Sequence, residues 1–128
     1  GRGTRTEQMP DAHAIAAALA FARQGSDDIG PDVAYAWVLQ SDAGRERVTR
    51  RLSEAMRCKE FQNAGRHRLA AAEVAWEVMI HNRRPTGPAP ADCSPTTWDR
   101  MLLVAIGTLH AKAWDALAEA ERRYTRAA

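Results

Sequence analysis

The segment 94–126 constrains the fold most, because after Pro95 it runs to its end without another proline. It begins with Ser94 and Pro95, and a hydroxyl followed by a proline is typical of the first turn of a helix. Apolar or small residues then recur at steps of three and four, as on one face of a helix: Trp98, Met101, Leu102, Ala105, Leu109, Ala113, Ala116, Ala120 and Tyr124. We therefore expect one helix about 45 Å long, at about 1.5 Å per residue.

A second row of residues runs beside the first along the same segment: Leu103, Ile106, His110, Trp114 and Leu117. The first half of the long helix is therefore apolar nearly all round, which predicts that other helices wrap it. On this interpretation His110 and the four tryptophans belong to the core. The second half carries more charge and is expected to reach the surface.

The rest of the chain predicts shorter helices around the long one. The sequence is 45% hydrophobic and rich in alanine and arginine, which favour helix, while β-branched residues are few. Glycine, asparagine and proline mark the breaks between segments. We expect an all-α single domain over 10–128, preceded by a flexible N-terminal arm at 1–9, with four shorter helices near 11–23, 30–40, 45–59 and 66–81.

Several classes of function are disfavoured by the composition. The chain has only two cysteines, Cys58 and Cys93, without a short metal-binding spacing, which fits a reduced, cytoplasmic protein. We see no uninterrupted apolar run of the roughly 18 residues that span a membrane. The sequence also lacks a glycine-rich phosphate loop and a nucleophile elbow. We therefore expect no cofactor, no membrane association and no enzymatic activity.

Positive charge is concentrated in the segment 45–68, which holds eight arginines and lysines against three glutamates, a formal net charge of plus five. The segment is also predicted to form a helix, a glycine-containing turn and a second helix, as in a helix-turn-helix. The second helix of that motif enters the major groove of DNA. We therefore predict a nucleic-acid-binding surface formed by Arg45, Arg47, Arg50, Arg51, Arg57, Lys59, Asn63, Arg66, His67 and Arg68.

On this hypothesis the residues from Asn63 to Arg68 begin a recognition helix, because Asn can pair with adenine and Arg with guanine. The other arginines would hold phosphates. The protein would be a small DNA-associated regulator of transcription, of a kind found in phages and mobile elements, with a homodimer and a monomer both left open. Two details favour a solvated arginine face instead: the turn is longer than three or four residues, and the helix after Arg68 is apolar on both sides.

A second hypothesis is a helical adaptor or inhibitor that binds a protein and no nucleic acid. Its contact surface would be the far half of the long helix, from Leu117 to Tyr124, or the second apolar side of the fourth helix at Val74 and Val78. Such a surface would also suit a homodimer.

A third hypothesis is a metal-dependent hydrolase. Glu73, Glu77 and His81 are spaced by four and would lie along one edge of a helix. A site would need ligands from the long helix, where only Asp99, His110 and Asp115 are available, so an ordinary polar edge with Glu77 paired to His81 is preferred. A zinc site is equally disfavoured, because the possible ligands include no two from one turn: Cys58, His67, His81 and Cys93.

Overall fold

The computed structural model describes residues 12–24, 27–85 and 88–127, with side chains as far as residue 123. The predicted arm at 1–9 lies outside these residues. Five α-helices make up the described part of the chain, and the predicted all-α bundle with a long C-terminal helix is confirmed. They are α1 (Ala12–Ala22), α2 (Gly30–Leu39), α3 (Arg45–Ala55), α4 (Arg66–Ile80) and α5 (Pro95–Ala127).

The helix ends follow from local sequence. Pro31 lies in the first turn of α2, where its missing N–H is not needed, and Gln40 ends that helix with a left-handed backbone, φ 53°. Gly44 takes φ 81° immediately before α3, a conformation that glycine adopts without strain. The Ser94 hydroxyl accepts a hydrogen bond of 3.3 Å from the backbone N–H of Thr97 and so caps α5.

The long helix α5 is the element against which most of the bundle packs. It contacts α4 and α2 most extensively and α1 less, while α3 packs on α4 from the other side. The fully buried large side chains come from every helix and from the loop after α3: Leu19, Val33, Val48, Leu52, Phe61, Trp76, Ile80, Met101 and Leu109. The core is therefore continuous through the five helices.

The helix α3 ends earlier than its arginine-rich sequence suggests. We expected it to reach Lys59, but it ends at Ala55 and is followed by turns as far as Gly65. Met56 and Phe61 are both buried, at 3% and 2% exposure, although they are five positions apart. A continuing helix would turn them to different sides, so burying both requires the chain to leave the helix.

The prediction that other helices wrap the first half of α5 is wrong. Leu103 is 73% exposed, Trp114 is 58% exposed, and His110 is also on the surface. Met101, Ala105 and Leu109 are buried on the opposite side of the same helix. The helices α1, α2 and α4 pack on that one side, so an apolar row remains in contact with solvent.

By length and mean hydropathy alone, Pro95–Arg123 would be long and apolar enough to cross a membrane, although no continuous apolar run was seen in the sequence. A core helix of a globular bundle passes the same test, and α5 supplies the core described above. Only 28% of its most apolar eighteen-residue window is buried in the bundle. This apolar excess is the same exposed row that Leu103 and Trp114 form.

Asp32 joins the first three helices through buried charge. Its side chain is 4% exposed and accepts a hydrogen bond of 2.7 Å from Nε of Arg23, the residue that follows α1, and another from Arg47 in α3. The Arg23 guanidinium also lies 4.6 Å from the centre of the Tyr35 ring, close enough for a cation–π contact. Because a buried charge is tolerated only when it is paired, these partners depend on one another.

We predict that Asp32→Ala lowers the free energy of unfolding by about 2 to 4 kcal/mol, because it leaves two half-buried guanidinium groups without their carboxylate. Urea unfolding followed by circular dichroism measures the change. Asp27→Ala is the matched control, since the Asp27 side chain is 96% exposed and its contact with Arg51 is 3.5 Å. That control should change stability by no more than about 0.5 kcal/mol, and equal losses in both variants would contradict the role given to Asp32.

Candidate interaction surfaces

The arginines of α3 lie within reach of carboxylates, most of which come from other elements. Arg45 Nη1 is 3.0 Å from Glu77 Oε1 of α4, and Arg47 bonds to the buried Asp32. Arg50 Nη2 is 2.6 Å from Glu46 Oε1 on the same helix. Arg51 Nη2 is 3.5 Å from Asp27 Oδ1.

The predicted recognition residues at the start of α4 are also engaged within the chain. Arg66 pairs with Asp92, and His67 Nε2 lies 3.1 Å from the same carboxylate. The hydrogen bond from Arg66 is the main reason that the pKa of Asp92 lies below its ordinary value. Arg68 is only 8% exposed and donates hydrogen bonds to two carbonyls of the preceding loop, on Phe61 at 2.7 Å and on Gln62 at 3.0 Å. Arg68 therefore holds the loop onto α4 and does not reach the surface.

The fold thus adds four carboxylates to a segment whose own formal charge is plus five: Asp27, Asp32, Glu77 and Asp92. Two of them are shared with arginines from outside the segment, Arg23 and Arg83. The positive charge of α3 is therefore interleaved with negative charge. It does not form the continuous basic face that the sequence suggested.

Three of the predicted residues remain exposed without an ion pair among the described residues, namely Arg57, Lys59 and Asn63. All three lie in the loop between α3 and α4. Arg84, which could have extended the basic surface, is exposed beyond the far end of α4. The length of that helix, about 22 Å at about 1.5 Å per residue, separates it from the loop.

The helix α4 has little surface to offer to a DNA groove. It lies between α3 and α5 and buries Ala71, Ala75 and Trp76. Its exposed row contains Leu69 at 40% exposure and Glu73, whose carboxylate would repel phosphates. Its inner sides pack in the bundle, as the two apolar faces of the sequence predicted. A helix that reads bases needs an exposed polar face over about two turns.

The residues considered for a metal site point to other partners. Glu77 lies within 3.1 Å of arginines on both sides, Arg45 and Arg83. The predicted side-chain pairing of Glu77 with His81 is wrong, because His81 Nε2 lies 2.6 Å from Asp42. Within the described residues, no group of three or more His, Cys, Asp or Glu side chains could hold a metal ion. Cys58 and Cys93 are both free thiols.

Asp42 links the end of α4 to the loop before α3. It accepts hydrogen bonds from His81 Nε2 at 2.6 Å and from Trp76 Nε1 at 2.8 Å. These two bonds, the one from His81 first, lower the pKa of Asp42 below its ordinary value. The indole N–H of a buried tryptophan is thereby satisfied by a carboxylate at the protein surface.

The most distinctive surface of the molecule is the side of α5 opposite to the core. We call it the α5 apolar face and define it by its exposed side chains, which include no carboxylate, ammonium or guanidinium group: Leu103, Val104, Gly107, His110, Ala111 and Trp114. A Cβ atom built on Gly107 would meet nothing within 4 Å among the described residues. The space beside Gly107 is therefore open.

Aromatic rings of two helices border this face. Trp37 of α2 makes edge-to-face contacts with Trp114, with ring centres 5.3 Å apart, and with His110, at 5.8 Å. Such contacts fix the orientation of rings that are otherwise exposed to solvent. The prediction that His110 is a core residue is therefore wrong. Of the four tryptophans only Trp76 is fully buried, while Trp37 and Trp98 are half-buried.

The protein-binding surfaces suggested by the sequence are less exposed than the α5 apolar face. Leu117, Val74 and Val78 are all half-buried, and the side chain of Tyr124 lies outside the described part. The sequence did contain the relevant signal, since Leu103, His110 and Trp114 form the second apolar row of the long helix. Periodicity shows that such a row exists, but it does not show which rows the rest of the fold will cover.

No protein-family model, curated protein or solved structure matches this chain.

We predict that Asp42→Asn destabilises the protein near neutral pH and destabilises it less near pH 3. A lowered pKa means that the folded state favours the carboxylate. The stabilisation by the Asp42 carboxylate is present at a pH above the ordinary carboxyl pKa of about 3.8. It is lost as the pH falls through the lower pKa that Asp42 has in the folded state. Urea midpoints of the wild type and the variant at both pH values give the comparison.

Asp115→Asn serves as the control, because Asp115 is exposed on α5. It should shift the urea midpoint little at either pH. A difference between wild type and Asp42→Asn that persists undiminished at low pH would contradict the assignment.

Proposed function

We propose that this chain is a non-enzymatic protein-interaction module whose α5 apolar face binds a helix of a protein partner. The observation that supports this function is the exposure of Leu103 and Trp114, at 73% and 58%, on one uncharged row of the longest helix. Exposed apolar side chains that form a contiguous surface mark contact sites in soluble proteins, whereas single ones need no explanation. Tryptophan is also among the residues that contribute most to protein interfaces.

The shape of the face suggests the chemistry of the partner. From Leu103 to Trp114 the row is about 17 Å long, at about 1.5 Å per residue. A second helix with apolar side chains at steps of three and four would lie along such a row and place its side chains on both sides of Gly107. The imidazole of His110 and the rim of charged residues beyond the row would set the orientation of that helix.

A photo-crosslinking amino acid in place of Leu103, introduced in cells of the source organism, tests this function. We expect crosslinks that map, by mass spectrometry, to an apolar helical segment of a protein. Glu73 on α4 is the matched control position, since it is exposed on a different helix. The absence of any product from position 103, or equal products from positions 103 and 73, would contradict the proposal.

DNA association is a second candidate, supported by the exposure of Arg57 and Lys59, which carry no ion pair among the described residues. The surface pairs of Arg50 and Arg51 are worth only about 0 to 1 kcal/mol each, so phosphates could compete for these arginines. Their carboxylate partners would remain nearby and would repel the DNA backbone. We therefore rank this candidate below protein binding.

For DNA binding we predict a weak salt dependence. Two phosphate contacts, from Arg57 and Lys59, give a slope of log affinity against log salt near −2, using about 0.9 per phosphate. Five contacts along α3 would give a slope of about −4 to −5. Titration of a random duplex by fluorescence anisotropy at several salt concentrations measures the slope.

The double variant Arg57→Gln/Lys59→Gln should bring that slope close to zero, while Arg122→Gln on α5 should leave it unchanged. A wild-type slope near zero would remove DNA association altogether. A slope steeper than −4 would show that the paired arginines of α3 exchange their carboxylates for phosphates.

A further inference from the structure

We infer that the helix bound by the α5 apolar face is α5 of a second copy of this chain, packed antiparallel to the first. This inference rests on the proposed function, for which it names the partner. Three features of the face support it: an exposed glycine at its centre, the symmetric spacing of its residues, and the distribution of charge at its two ends.

Gly107 is the first feature, because the fold of one copy gives no reason for it. Glycine within a helix is less favourable than alanine by roughly 1 kcal/mol. A Cβ atom at this position would meet nothing within 4 Å in the described structure, so alanine would fit. At Gly30, by contrast, a Cβ atom would lie only 3.0 Å from the backbone oxygen of Lys112. Glycine is therefore needed there, where α2 approaches α5. A partner that approaches the backbone of α5 closely would explain why position 107 carries no side chain.

The spacing of the face is the second feature. Leu103, Gly107, His110 and Trp114 are separated by four, three and four residues, so the row reads the same from either end. An axis of two-fold symmetry between residues 108 and 109 would place each Leu103 opposite Trp114 of the second copy. The same axis places Gly107 opposite His110 of the second copy. Each of these opposed pairs then combines a larger residue with a smaller one, as closely packed helices require.

The charges at the two ends of the row are the third feature. Arg100 is exposed one turn before Leu103 and pairs with Glu60 at 2.7 Å. Glu121 is exposed two turns after Trp114, beside Arg122 and Arg123, which both pair with Glu119. In an antiparallel pair Arg100 faces the end of the second helix that carries Glu121, so opposite charges approach each other. A parallel pair would bring Arg100 beside Arg100 and Trp114 beside Trp114. It would also align the two helix dipoles unfavourably.

The size of the face limits the affinity. A row about 17 Å long, bordered by Trp37, is small compared with the interfaces of permanent dimers. We therefore expect a dissociation constant on the order of micromolar. The protein should be a monomer of 14.1 kDa at high dilution and a dimer at high concentration.

Sedimentation equilibrium of the purified chain over a wide concentration range tests the association. Gly107→Leu should raise the dissociation constant at least about 30-fold, because a large side chain blocks the close approach of the two helices. The control Glu73→Lys, on an exposed position of α4, should leave the dissociation constant unchanged.

Gly107→Ala separates an effect on the interface from an effect on folding. In the dilute monomer it should raise the melting temperature by roughly 3 to 5 °C, because alanine favours helix. The same variant should weaken dimerisation several-fold, because its methyl group lies between the helices. A variant that stabilises the monomer and weakens the dimer cannot be acting through misfolding.

The direction of the two helices is tested with cysteines at Asp99 and Ala118, which are both exposed and which the two-fold axis places across from each other. Cys58 and Cys93 are first replaced by serine. A short bismaleimide should join the Asp99→Cys protein to the Ala118→Cys protein more efficiently than it joins either protein to itself. If each cysteine variant instead crosslinks more efficiently to itself than to the other variant, the antiparallel arrangement is overturned.

A wild-type protein that stays monomeric at several hundred micromolar would overturn the inference. If Leu103 then still crosslinks in cells to a helix of a different protein, the proposed function stands and only the second copy is excluded. If that crosslink is absent as well, both fail. Monomeric protein that floats with neutral lipid vesicles, and loses this behaviour in Trp114→Glu, would assign the face to a membrane surface and would overturn both.

Discussion

The structure depends on a single helix that is apolar on more sides than its neighbours cover. One side of α5, with Met101, Ala105 and Leu109, holds the bundle together. The opposite side, with Leu103 and Trp114, remains in solvent. Shorter helices of ten to fifteen residues cover only one side of a helix of thirty-three. Because apolar surface in water is unfavourable by roughly 25 cal/mol per Å², covering this row with a partner is favourable.

Charged side chains, unlike this apolar row, mostly find their partners within the fold. Asp32 binds Arg23, which follows α1, and Arg47 of α3. Asp42 accepts hydrogen bonds from Trp76 and His81, and Arg68 holds the loop that precedes its own helix. A segment with a formal charge of plus five in the sequence therefore serves mainly to connect elements of the bundle. This distribution is why we place protein binding before DNA binding, although charge was the most suggestive feature of the sequence.

Much of the fold could be predicted from the sequence, because caps, glycines and prolines are local signals. The start of α5 at Ser94 and Pro95, and the breaks at Gly44 and Gly65, follow from single residues. The candidate site could not be predicted in the same way, because it depends on which surfaces meet. The burial of Arg68 requires that the preceding turn aims the carbonyls of Phe61 and Gln62 at its guanidinium group, and charged residues are rarely buried. The exposure of His110 and Trp114 depends on where α2 and α4 pack, which helical periodicity does not encode.

The central claim is that the α5 apolar face is covered when the protein associates, and hydroxyl-radical footprinting measures this directly. Oxidation of Leu103 and Trp114 is compared, in one sample, with that of Phe21, which is 74% exposed on α1. The account predicts that both residues become protected relative to Phe21 as the protein concentration rises. Oxidation of Leu103 and Trp114 in constant proportion to that of Phe21, at every concentration, would contradict it.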